Sequence, residues 1–152
     1  MGDLNAEFVN PFLIAATKIL KDMCFIDAKI GKPYIRSNID NNSVIIMLGI
    51  TGQLRGQVVI MLNQLAACDI ASKMIMTPVS EIDELSGSAI CELGNMILGN
   101  AATVFSTKGL SIDITPPSLC IGKMAMMNVS KSICVPLSYD DDKLIELNIG
   151  IV

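Results

Sequence analysis

The chain begins with apolar positions at helical spacing. Phe8, Phe12, Ala15, Ala16, Ile19, Leu20 and Met23 recur at three- and four-residue steps, the period of one helix face, and predict a helix over Asn5 to Met23. Pro11 falls near its start, where a missing N–H costs least. Lys18 and Lys21 lie toward its C-terminal end, where the helix dipole favours cations. The pattern then shortens to strand-like runs. Phe25 to Ile35 reads as a strand interrupted by Gly31 and Pro33. Ser43 to Ile50 is rich in Val and Ile, and Gly56 to Leu62 returns after a turn at Thr51 to Arg55 that holds Gly52. Asn63 caps a short helix running to about Met76. A long helix follows to about Thr107, opened by Thr77-Pro78 or by Ser80-x-x-Asp83 and ended by Gly109. Ser111 to Ile114, Leu119 to Gly122, Met124 to Tyr139 and Leu144 to Val152 read as strands, with breaks at Pro116-Pro117 and Asp140-Asp141-Asp142. The order of helix, strands, two helices and strands predicts an α+β fold. Its antiparallel sheet is expected to be covered on one face by long helices, in one domain over residues 1–152.

Composition narrows the chemistry. The chain has 152 residues, 51% of them hydrophobic and 17% charged, the reverse of a disordered chain. Lys and Arg number 11 against 15 Asp and Glu, so the net charge is −4 and no basic footprint for nucleic acid is present. The longest apolar runs, Val44 to Ile50 and Val58 to Leu62, fall far short of the roughly 20 residues a spanning helix needs. With no basic n-region and cleavage site at the N-terminus, a cytoplasmic protein is expected. Histidine is absent, which removes imidazole-based catalysis and His-ligated metal sites. The five cysteines, Cys24, Cys68, Cys91, Cys120 and Cys134, have no CxxC spacing and read as reduced thiols. Gly52 and Gly56 lack the GK[ST] element of a phosphate loop and suit a hairpin instead. A thiol enzyme built on Cys91 is disfavoured by the adjacent Glu92, which raises a thiol pKa.

The long helix carries the chemical signal. At about 100° per residue, Ser88, Glu92, Asn95 and Gly99 fall within about 60° of one another. Ile90, Leu93, Ile97, Ala101 and Val104 cluster on the other side. An exposed Glu and Asn at i, i+3 are, by periodicity alone, most often a solvated face. Yet Asn is a mediocre helix former, and Gly94 and Gly99 each cost about 1 kcal/mol relative to Ala. Asn cannot act as a base, but its amide can orient a water. That suits a hydrolysis whose metal and electrophile come from another molecule.

The motifs resemble the CheX branch of the CheC/CheX/FliY family of chemotaxis phosphatases. They are Asn5-x4-Asn10, Gly49-Ile50-Thr51-Gly52, Gly56, the run from Glu84-Leu85-Ser86 to Gly99 with Ser88-x3-Glu92-x2-Asn95 at its heart, and Asp113-Ile114-Thr115-Pro116-Pro117. The similarity spans nearly the whole chain. It implies a phosphatase acting on the phosphoaspartate of a CheY-type response regulator. Asn95 would position the attacking water, and Glu92 would dock by pairing with the regulator's active-site lysine. Ser88 and Pro117 would complete the pattern, with Ser88, Glu92, Asn95 and Gly99 facing the partner. No cofactor is expected on this chain; Mg2+ is expected on the regulator. Asp3-x3-Glu7-x2-Asn10, followed by Pro33, repeats the spacing and marks Glu7 and Asn10 as a second site, a relic of duplication or chance. A non-catalytic module that docks a regulator or a flagellar-switch component is the alternative. The apolar strands Val44 to Ile50, Gly56 to Leu62 and Leu144 to Val152, read as edges, predict a homodimer, which the resemblance also implies.

Overall fold

The computed structural model describes residues 6–36, 44–121 and 132–151. The first helix, α1, spans Ala6–Cys24; Asn5, and the Asp3 of the repeated motif, lie outside the described residues. Pro11 sits in its second turn, and Asn10 keeps helical geometry despite preceding a proline. Met23, placed on the apolar face by periodicity, is exposed, and Cys24 is buried in its stead. The predicted strand after α1 survives only as two short pieces, β1 (Lys29–Ile30) and β2 (Tyr34–Arg36). Phe25 has a φ of 58° and turns the chain out of the helix, so Phe25 to Ala28 is not a strand.

The hairpin of β3 (Val44–Gly52) and β4 (Gly56–Leu62) forms as the pattern predicts, with β3 two residues longer at its C-terminal end. Asn63 caps α2 (Gln64–Ile75) by accepting a hydrogen bond from the Ala66 N–H. The long helix, α3 (Glu84–Thr107), starts later than either predicted opening. Its N-cap is Asp83. The Asp83 carboxylate accepts from the Ser86 N–H, and the Ser86 hydroxyl accepts from the Asp83 N–H. Gly109, with a φ of 83°, follows its end as expected. The remaining strands are β5 (Ile112–Ile114), β6 (Ser118–Ile121), β7 (Ser132–Tyr139) and β8 (Lys143–Ile151). The part of the predicted Met124 to Tyr139 strand before Ser132 lies outside the described residues, as do Ser43, Gly122 and Val152.

Among the described residues, eight strands join one antiparallel sheet in the order β1-β7-β8-β4-β3-β5, with β2 also on β7 and β6 also on β3. The arrangement is close to two-fold. Two short strands flank β7 on one side, two flank β3 on the other, and the long β8–β4 pair lies between. Alternation along the strands sorts the faces. Val44, Ile46, Leu48 and Ile50 of β3, with Val58, Ile60 and Leu62 of β4, point into the core under the three helices, while Ile45, Val59 and Met61 form a small buried cluster on the opposite face. The expected α+β fold, with helices on one face, therefore holds. The Phe12 and Phe105 rings pack edge to face at 5.3 Å and tie α1 to α3.

The strands expected to offer apolar edges for a homodimer are interior strands. β3, β4 and β8 each have hydrogen-bonded neighbours on both sides; the edges are the short strands.

Candidate functional site

The site is built on the outward side of α3. Ile90, Leu93, Ile97 and Ala101 are buried as periodicity predicts, joined by Leu98 and Phe105, whereas Val104 is only half-buried. Gly94 is also buried. A Cβ there would stand 3.1 Å from the Ile46 side chain, so the glycine lets α3 settle onto the interior strand β3. With this face anchored, Ser88, Glu92 and Asn95 stand exposed on the other, one helical step after another, and Gly99 is half-buried beyond them. Among the described residues no side-chain hydrogen bond or ion pair engages Glu92 or Asn95.

A shallow groove of about 430 Å³ runs beside this stripe. Ser88, Cys91, Glu92 and Asn95 form one wall. The start of the helix (Asp83, Glu84, Gly87) closes one end, and Pro117 and Leu119 from the chain around β6 form the facing side. Pro117, more than twenty residues from Asn95 in sequence, is thus brought beside it. The approach depends on Gly87, where a Cβ would come within 2.8 Å of Leu119. The connection from β5 to β6 is held in turn by β3. The Gly49 N–H donates to the Thr115 hydroxyl at 2.7 Å, and the Thr115 N–H donates to the Gly49 carbonyl at 3.0 Å. The Gly49-to-Gly52 and Asp113-to-Pro117 motifs are therefore one structural unit, with Thr51 paired to Asp113.

The groove lining holds three carboxylates, Asp83, Glu84 and Glu92, and no Lys or Arg. Hydrogen bonds from Ser86 hold the Asp83 carboxyl below its usual range. Its negative charge complements the positive end of α3. Cys91 lies in the wall, but burial pushes its thiol pKa up, so it is protonated at neutral pH and poorly suited as a nucleophile. Among the described residues no three Cys, Asp or Glu side chains gather to hold a metal ion. On α1, Glu7 and Asn10 are both exposed on the helix, and Pro33 is exposed as well. Sequence reasoning missed Asp83, Glu84, Gly87 and Leu119 as members of the groove. The reciprocal Asp83–Ser86 spacing was the one local signal for the first of them.

The sheet topology and the helix-borne groove define the α+β class of CheC-like proteins. The model of the chemotaxis phosphatase CheX matches residues 44–138, and the chain belongs to that family of phosphatases. It is 28% identical over 151 residues to the CheY-P phosphatase CheX of Thermotoga maritima, covering 97% of each chain. Among solved structures it superposes with a TM-score of 0.82 on CheX in the CheX–CheY–BeF3–Mg2+ complex from Borrelia burgdorferi, at 31% identity over 97% of this chain and 99% of that one. A CheC-like superfamily protein from Shewanella sp. PV-4 gives a TM-score of 0.83 at 29% identity, covering 97% and 99%. No helix among the described residues is long and apolar enough to cross a membrane.

Proposed function

We propose that the chain, acting as one domain over residues 1–152, hydrolyses the phosphoaspartate of a CheY-type response regulator. The observation that carries this reading is the Asn95 carboxamide. It is exposed on a helix whose opposite face is locked into the core, at the rim of an acidic groove. Phosphoryl transfer asks a protein mainly for positioning and charge neutralisation. An amide donates and accepts at once, so Asn95 can hold a water in line with the acyl phosphate. Glu92, one turn earlier, pairs with the regulator's active-site lysine, and the carboxylates of Asp83 and Glu84 add to the attraction. Ser88 and Gly99 keep the rest of the stripe low. Magnesium belongs to the regulator in this scheme. The Thermotoga relative's activity on CheY-P and the Borrelia CheX–CheY complex support the choice of partner. Five cysteines, none of them in a disulfide, suit the cytoplasm. A homodimer belongs to the same reading; Ile30, Tyr34 and Ile35 stand exposed on β1 and β2.

The test mixes the chain with a phosphorylated receiver domain and follows phosphate release with magnesium and with a chelator. Asn95→Ala is expected to lower kcat about 10²–10³-fold, the usual cost of one positioned hydrogen-bonding group. Glu92→Ala is expected to raise KM more than it lowers kcat. Wild-type turnover by Asn95→Ala would leave only a docking module.

A further inference from the structure

Asn has a short side chain, so the backbone carrying it must come close to whatever its amide serves. In a helix the Cα atoms lie about 2.3 Å from the axis, while side chains extend the diameter to about 10–12 Å. Any bulky neighbour on the same face therefore holds a visitor away from Asn95. On α3 that face offers Ser88, which is small, Glu92, which is long and flexible, and Gly99, which has no side chain at all.

Gly99 differs from the other glycines of α3. A Cβ at Gly87 would meet the Leu119 side chain at 2.8 Å and one at Gly94 the buried Ile46 side chain at 3.1 Å, so both glycines face the chain's own packing. A Cβ at Gly99 would meet nothing within 4 Å among the described residues. Gly99 lies well inside a 24-residue helix, where glycine is among the weakest helix formers. Among the described residues no neighbour requires the missing side chain.

The first helix supplies the comparison. Glu7 and Asn10 repeat the spacing of Glu92 and Asn95, and both helices cover the same face of the nearly two-fold sheet. The position that corresponds to Gly99, four residues after the Asn, is Ile14 on α1. Its branched side chain is 50% exposed. We infer that Gly99 is the clearance through which a phosphorylated receiver domain settles onto α3. Ile14 fills the same place on α1 and excludes that helix from docking. Gly99 acts as a positioning residue, one turn from Asn95 and without touching the reacting atoms. The inference rests on the phosphatase reading above.

The experiment places α1's residue on α3 by Gly99→Ile in the full chain, beside Gly99→Ala. Binding and turnover of a phosphorylated receiver domain are measured together with thermal unfolding. Gly99→Ala is expected to raise Tm while weakening docking. Gly99→Ile is expected to keep the helical circular dichroism of the wild type and raise Kd about tenfold or more, by the clash it builds. Its KM should rise with a smaller change in kcat. Wild-type Kd and turnover in Gly99→Ile would overturn the inference, and so would a lowered Tm in Gly99→Ala. If Gly99→Ile does not fold, Gly99→Ala decides alone, weaker docking with a higher Tm supporting the inference and unchanged docking overturning it. A wild-type chain that released no phosphate from a receiver would instead sink the phosphatase reading itself.

Discussion

Single residues divide into those set by their own period and those set by a distant neighbour. Ser88, Glu92 and Asn95 belong to the first kind. A 3.6-residue repeat places them on one stripe, and the structure leaves them exposed there. Gly94 belongs to the second. Nothing in the sequence around it names Ile46, yet that β-branched side chain is wholly buried in β3 and stiff at χ1. Gly94→Ala gains about 1 kcal/mol of helix propensity but overpacks the contact by about 1–3 kcal/mol. The net effect is expected to be a loss of about 1 kcal/mol, measured by denaturant unfolding with an unchanged m-value. Gly87→Ala is expected to be milder, because the Leu119 side chain it meets is only half-buried and can turn aside.

At the scale of elements, caps decided what periodicity left open. Thr77-Pro78 and Ser80 are possible starts for α3 by sequence, but the helix takes neither. Asp83 and Ser86 satisfy each other's backbone N–H groups, so the helix begins at Glu84. The chain before it is held as a loop instead, by the Val79 N–H donating to the Ser72 hydroxyl at 2.9 Å. Because Asp83 and Glu84 also line the groove, the same turn that starts the helix supplies its acidic end. Asp83→Ala is expected to lower Tm by about 2–4 °C, as loss of an N-cap does in a chain of this size, and Asp83→Asn by less, since Asn caps as well. Thermal unfolding by circular dichroism reads both.

For the whole molecule, side-chain bridges between layers add to the apolar core. The Tyr139 hydroxyl, at the end of β7, donates to the Asp69 carboxylate of α2 at 2.7 Å, and Lys73 pairs with the same carboxylate at 3.0 Å. Burial pushes the Asp69 pKa up, but these hydrogen bonds and the Lys73 and Lys143 charges outweigh it and hold the carboxyl below its ordinary value. Folded Asp69 thus binds a proton less readily than unfolded Asp69. Its stabilisation is present above the ordinary carboxylate pKa of about 3.9, and it is lost as pH falls through the lower folded value. Asp69→Asn is expected to reduce stability near pH 7 and to flatten its decline below about pH 4, measured by urea unfolding across that range.

The sequence alone determined the helices, the hairpin, the antiparallel α+β class and the stripe that carries Glu92 and Asn95. These follow from periods and caps that act within a few residues. Tertiary structure decided that β3, β4 and β8 are interior strands and that the edges are short. It also brought Pro117 and Leu119 across to make a groove, and separated the glycines that face the chain's own packing from the one that does not. Strand order and close packing join residues far apart in the chain, and a local pattern of apolar and polar positions holds no information about which distant surface will cover it.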